Sequence, residues 1–332
     1  MAEHGYTVED QTVLNTVTAV EITQQTATGS SVTPSTSRTT DFYFQCAVIV
    51  IGVVGTAANA LILYAMVASE QHKTHLLIFN QNLLDLLSCL CLIITYSAKL
   101  SNVHVTGAHG HWLCITILNE LIFWCPVAGS MANLITITIA RYLKVVHPIW
   151  SKKRQRKWMV YTASIFAWIY GTALTAGSLI PTSTVVGGVC YTQFFQDSQT
   201  KQVSYLVFNV SYYVIMLLIF TFCYGRILIA LRRQASVMAG HTASGSSAAQ
   251  AQSKQSESSV IKTMIRACVL YVVTWTPLTV YYILLVTDSK MTVHESTYYA
   301  LVFLIYLRLR QSVHLRHEVW PRQAHNAASD SL

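Results

Sequence analysis

Hydrophobic and polar positions alternate along this chain on the scale of whole helices. Apolar stretches occupy residues 42–68, 76–98, 111–145, 158–180, 204–231, 260–287 and 296–307, separated by shorter polar connections. The first six are long enough to cross a bilayer, for which a helix needs roughly 20 mostly apolar residues. The seventh passes through Tyr298, Tyr299, Phe303 and Tyr306, then meets Arg308, Arg310, His314, Arg316 and His317 just beyond Leu307. It is about half of a spanning helix. The pattern predicts an all-α, polytopic membrane bundle of seven helices whose last member is truncated.

Composition agrees with that reading. The chain is 53% hydrophobic and only 11% charged, whereas a soluble domain is nearer a quarter charged. The partner expected for most of its surface is therefore the lipid bilayer, and no nucleic acid is expected. Cys46, Cys89, Cys91, Cys125, Cys223 and Cys268 lie inside apolar runs, where cysteine behaves as a small hydrophobe. Cys114 and Cys190 stand near segment ends, and no Cys/His spacing suggests a metal site. No nucleophile–base set or phosphate loop points to an enzyme. Neither the repeat symmetry nor the broken spans of a transporter are visible.

Charge orients the spans. Lys73, then Lys144, Lys152, Lys153, Arg154, Arg156 and Lys157, then Arg232, Arg233, Lys254 and Lys262 fall in alternate connections. The opposite connections hold only Lys99, Lys201 and Lys290. The positive-inside bias puts the first set in the cytoplasm and the amino terminus outside, as in a multi-pass plasma-membrane protein. Residues 1–41, rich in Thr and Ser and without an apolar leader, are expected to form a disordered extracellular tail. Residues 42–307 form the membrane domain, with a flexible cytosolic loop at 232–259.

Polar residues deep in the spans carry the chemistry. Asn59, Asp85, Ser130 and Asn133 are expensive in hydrocarbon and must face the bundle interior. The amides and hydroxyl can serve as interhelical glue. A lone carboxylate such as Asp85 needs a cation or a proton.

At the end of the third span, Ala140-Arg141-Tyr142 leads into Leu-Lys-Val-Val-His147-Pro148. With this phrase the chain resembles a rhodopsin-like G-protein-coupled receptor from about Phe42 to Leu307. Other residues carry the same resemblance: Asn59 in Gly-x-x-x-Asn, Asn80 with Asp85, Trp112 with Cys114, Trp168, Cys190, Tyr224, and Trp275-Thr-Pro277. Several phrases also resemble a large group of invertebrate receptors usually placed with peptide receptors. The resemblance implies a Cys114–Cys190 disulfide on the oxidising side. It implies an activation core of Asn59, Asp85 and Ser130 able to hold a sodium ion, and no other cofactor or metal. Arg141, Tyr142 and Tyr224 are implied to meet a heterotrimeric G protein. Trp275 above Pro277 is implied to switch helix six, because proline frees a backbone carbonyl and lets the helix bend.

The ligand is expected to be extracellular and a peptide, by resemblance. Phe123 stands where amine receptors carry an aspartate. Glu120, Phe123, Trp124, Tyr212, Tyr281 and Tyr282 are the candidate pocket, with Tyr298 and Tyr299 beside them. Glu120 pairs either with a basic ligand group or with a neighbouring polar side chain. Several positions depart from the family. Ala140 replaces the acid before Arg141, which implies a weakly restrained inactive state. Gln81 replaces an apolar residue, Met216 the helix-five proline and Tyr271 the helix-six phenylalanine. Cys114 lies two residues farther from Arg141 than in most of the family.

The family also expects Asn-Pro-x-x-Tyr in the seventh span, and residues 308–332 lack it. Read one nucleotide later with suitable synonymous codons, Arg308–Gln323 becomes Val-Cys-Val-Asn-Pro-Phe-Ile-Tyr-Ala-Thr-Lys-Tyr-Gly-Pro-Val-Lys. The Trp320 codon has no synonym and, with Pro321, forces the glycine. The tail is thus expected to be out of frame. The alternative to a signalling receptor is a non-signalling relative or decoy lacking the end of span seven.

Overall fold

The computed structural model describes residues 34–70, 72, 75–101, 103, 105–154, 157–192, 199–240, 248–287 and 297–306. The helices are α1 (Pro34–Ala68), α2 (Leu76–Leu100), α3 (Gly107–Leu113), α4 (Leu121–Val146), α5 (Pro148–Arg154), α6 (Lys157–Leu179), α7 (Gln199–Gly240), α8 (Ala248–Thr287) and α9 (Thr297–Tyr306). A π-helical turn, Cys114–Leu118, joins α3 to α4, so the third span runs from Gly107 to Val146.

Every expected span contains a helix, and the fold is the expected helical bundle. Among the described residues, five helices are long and apolar enough to cross a membrane, while Cys268–Leu284 and Thr297–Tyr306 are shorter apolar helices. Leu307 and the expected out-of-frame tail lie outside the described residues.

Two boundaries differ from expectation. Helix α1 begins at Pro34, inside the expected disordered tail; proline has a preset helical φ and suits a first turn. Residues 232–240 and 248–259 are helical where a flexible loop is expected. Their Ala, Gln, Lys and Arg content favours continuing a helix already nucleated in the membrane. Residues 1–33 and 241–247 lie outside the described set.

Within the unit Gln45–Leu332, the apolar core also holds a set of polar side chains, and large apolar side chains cover much of the outside. Asn59, Asn80, Gln81, Asn82, Asp85, Ser88, Ser130, Asn133 and Thr138 are buried. Val50, Leu61, Tyr64, Phe166, Ile169, Leu218 and Phe222 are exposed. Such an apolar outer surface suits lipid. The third span lies against α2, α6 and α7. Small residues permit its tightest crossing: a Cβ on Gly171 of α6 would fall 2.8 Å from the Cys125 carbonyl oxygen and the same distance from Gly129 Cα. Close backbone approach of this kind is how membrane helices gain packing energy without a hydrophobic drive.

Strands β1 (Ser183–Val186) and β2 (Val189–Thr192) form an antiparallel hairpin after α6. Its two-residue turn, Gly187-Gly188, takes φ of 59° and 81°, the left-handed pair that a tight hairpin requires. Cys190 sits opposite Val185 in the register.

Candidate functional site: two polar clusters joined by an aromatic column

The Cys114–Cys190 disulfide is formed, tying the hairpin to the third span. The Val105 amide donates to the Gly188 carbonyl at 3.1 Å, and Asn119 Nδ2 donates to Ser183 Oγ at 2.7 Å. The two extra residues between Cys114 and Arg141 are absorbed directly below. The Asn119 amide reaches back five residues to the Cys114 carbonyl at 2.8 Å, the wide π turn that accommodates an inserted residue. The chain then breaks at Glu120, whose φ of 65° is left-handed. A side chain in that conformation costs on the order of 1 kcal/mol.

The break aims the Glu120 carboxylate into the bundle. Lys99 Nζ meets Glu120 Oε1 at 2.5 Å, the two side chains being 27% and 12% exposed. The Tyr306 hydroxyl donates to Glu120 Oε2 at 3.3 Å and lies 3.1 Å from the Tyr96 hydroxyl. Lys99 Nζ also sits 4.7 Å from the centre of the Tyr96 ring, within cation–π range. Helix α2, the third span and α9 are therefore joined by one charged knot. Within the chain, Glu120 meets Lys99 and Tyr306. Lys99, Tyr96 and Tyr306 were not singled out as site residues; the visible signal was Lys99, a basic residue in a connection almost without charge.

Beneath the knot, Phe123 is fully buried, 5.3 Å from Tyr306 and 5.0 Å from Trp124. Trp124 stands 6.2 Å from Trp275, and Trp275 stands 5.9 Å from Tyr271. Tyr271 in turn contacts Phe220 at 5.8 Å and Tyr213 at 6.2 Å. These edge-on and tilted rings form a column from the third span through α8 to α7. Trp275 Nε1 is buried with no hydrogen-bond partner among the described residues. Pro277, inside α8, removes the donor that the Val273 carbonyl would otherwise use. Tyr212 stands 6.1 Å from Tyr170, and Tyr281 stands 6.4 Å from Tyr282.

At mid-bundle the polar residues form a second cluster. Trp168 Nε1 donates to Asn80 Oδ1 at 2.8 Å, and Asn80 Nδ2 donates to Asn133 Oδ1 at 3.0 Å. Asn133 Nδ2 donates to the Leu77 carbonyl at 3.0 Å and to Gln81 Oε1 at 2.9 Å. Gln81 Nε2 donates to Asp85 Oδ1 at 3.1 Å and to Ser130 Oγ, while Ser130 Oγ donates to Asp85 Oδ1 at 2.8 Å. Asn59 is buried too, but its amide donates within its own helix, to the Gly55 carbonyl at 2.9 Å. The expected trio is therefore a pair, Asp85 with Ser130, completed by Gln81. The Gln81 amide hydrogens thus lie against both oxygens of the pair.

At the far end of the third span, Tyr142 OH lies 3.3 Å from His147 Nε2, and its ring lies 5.7 Å from Phe222. Tyr224 is buried and its hydroxyl lies 3.2 Å from Thr138 Oγ1. Ala140 offers Arg141 no carboxylate. Burial, followed by the positive charges of Arg141 and Lys144, holds the His75 imidazole below its ordinary range, which places that ring in the field of Arg141.

The family model of the 7 transmembrane receptor (rhodopsin family) matches residues 58–309. The chain is 27% identical over 199 residues to free fatty acid receptor 3 of Homo sapiens, covering 55% of each. It is 28% identical over 134 residues to C5a anaphylatoxin chemotactic receptor 1 of Rattus norvegicus, covering 39% of this chain and 36% of that one. It is 25% identical over 240 residues to melanopsin of Podarcis siculus, covering 69% of this chain and 49% of the relative. The chain thus spans about half the length of the curated relatives it matches. Among solved structures, squid rhodopsin superposes with a TM-score of 0.68 at 17% identity, covering 86% of this chain and 83% of that one, a likeness of fold. The chain belongs to the rhodopsin family of seven-transmembrane receptors. It is a multi-pass membrane protein of a receptor family and not an enzyme.

Proposed function

We propose that this chain encodes a receptor that binds an extracellular ligand at its disulfide end and activates heterotrimeric G proteins at its Arg141 end. The observation that carries this reading is the aromatic column. It begins at Phe123 under the Glu120 knot and passes through Trp275, just before the proline of α8, toward Tyr213 and Phe220 of α7. A ligand that moves Trp124 or Tyr306 displaces Trp275, and a helix lacking one backbone hydrogen bond can bend in response. The positive-inside charge pattern supports an extracellular amino terminus. Phe123, in place of an aspartate, disfavours a monoamine. A peptide is the ligand favoured by the resemblance, and the C5a receptor is named for an anaphylatoxin. The test is nucleotide exchange on purified G proteins by membranes holding the frame-restored chain: Arg141→Ala should abolish it while leaving membrane yield intact.

A second reading rests on the sequence after Leu307, where Arg308, Arg310, His314, Arg316 and His317 follow and Asn-Pro-x-x-Tyr is lacking. The polypeptide as written is then a non-signalling relative, and its residues 308–332 are read from the wrong frame. Sequencing the transcript across Leu307–Arg308 tests it. Codons that cannot yield Asn-Pro-Phe-Ile-Tyr in the second frame would sink it.

A further inference from the structure

A carboxylate inside a membrane bundle must be met by a proton, a cation or a set of donors. For Asp85, 4% exposed, the structure shows donors. The Gln81 amide lies against both Asp85 Oδ1 and Ser130 Oγ, and the Ser130 hydroxyl is itself spent on Asp85. The orientation of that amide is forced. Its oxygen accepts from Asn133 Nδ2 at 2.9 Å, and Asn133 is pinned in turn by the Leu77 carbonyl and by Asn80. A flipped amide would set its oxygen against the Asp85 carboxylate and its NH2 against the NH2 of Asn133, losing these bonds at once.

We propose that the Gln81 side-chain amide is a built-in substitute for a cation at the Asp85–Ser130 pair, so that this bundle is insensitive to sodium. The partial positive charge of the NH2 group occupies the position in which a monovalent cation would bridge the two oxygens. Being covalently attached to α2, it cannot exchange with the medium. A control that the extracellular sodium concentration could exert is thereby replaced by a permanent link between α2 and the third span. The inference concerns the polar centre alone and does not depend on the ligand or on coupling to G proteins.

The test is thermal unfolding of the full chain, purified in lipid nanodiscs, in sodium chloride and in choline chloride at equal concentration. The wild type should melt at the same temperature in both. Gln81→Leu, which removes the amide, should melt lower in choline and recover roughly 3 °C in sodium. Asp85→Asn added to it should erase that recovery. Gln81→Met, of similar length, is a second variant should the leucine perturb packing. Independently of the Gln81 variants, the carboxyl infrared band of wild-type Asp85, identified by its loss in Asp85→Asn, should stay in place on exchange of choline for sodium. A sodium-specific rise in melting temperature or a shift of that band in the wild type overturns the proposal. So does a folded Gln81 variant that responds equally to both salts.

Discussion

The mid-bundle network and the Glu120 knot both join α2 to the third span with buried polar atoms, but they are built on opposite terms. Around Asn133 the helices are regular, and each hydrogen bond named there joins well-placed groups across ordinary helical geometry. Around Glu120 the helix is interrupted, the backbone is left-handed, and the joint is an ion pair partly open to the surroundings. Saturated hydrogen-bond networks rigidify, whereas a strained joint held by a partly exposed ion pair is one that a competing charge can release. The contrast separates a scaffold from a moving part.

The largest expected effect lies on the scaffold side. Gly171→Leu would drive a branched side chain into the backbone of the third span at Cys125 and Gly129. Folded protein should be lost, read as the collapse of the monodisperse peak after detergent extraction. Asn133→Ala should follow, because it strands Asn80 Nδ2 and Gln81 Oε1 together. Each lost buried partner costs about 1 kcal/mol, so melting should fall by roughly 6 °C. An unchanged melting temperature would show that the network is dispensable.

The knot should respond less, and in a telling direction. Lys99→Met removes the cation and leaves Glu120 with the hydroxyls of Tyr306 and Tyr96, a loss of about 1–2 kcal/mol. Glu120→Gly removes the same ion pair but also relieves the left-handed backbone. It should therefore be less destabilising than Lys99→Met in a side-by-side melt, and the reverse order would deny the strain. The smallest effect concerns pH. His75 is held below its ordinary value of 6.5 by burial, then Arg141 and Lys144, so the unfolded chain binds its proton more readily than the folded one. That contribution is complete above about pH 6.5 and falls away as pH drops toward the lower folded value. His75→Asn should flatten the slope of stability against pH in that window.

Much of this was legible before any coordinates. Apolar runs marked each span, because lipid demands long unbroken segments and charges can be tolerated only between them. The two additional residues before Arg141 could be counted, but not the π turn and left-handed Glu120 that absorb them, since several backbone solutions fit one insertion. Gln81 was conspicuous as a polar residue in an apolar place. Its meaning needed Ser130 and Asn133, far away in sequence and on another helix. Lys99 and Glu120 likewise meet only through the third dimension. The Gly and Ser of residues 232–259 point to a flexible loop, while Ala, Gln and Lys set the helical outcome over 232–240 and 248–259.

The central claim is that residues 42–306 carry a competent receptor bundle and that the departure begins after Leu307. Agonist-free nucleotide exchange on G proteins, comparing the chain as written with one carrying the second-frame residues from position 308, tests this most directly. The account predicts no exchange above receptor-free membranes for the chain as written. The restored chain should show clear exchange, lowered by Ala140→Glu, which returns a carboxylate beside Arg141. Equal activity of the two chains, or silence from a restored chain that folds and reaches the membrane, would contradict it.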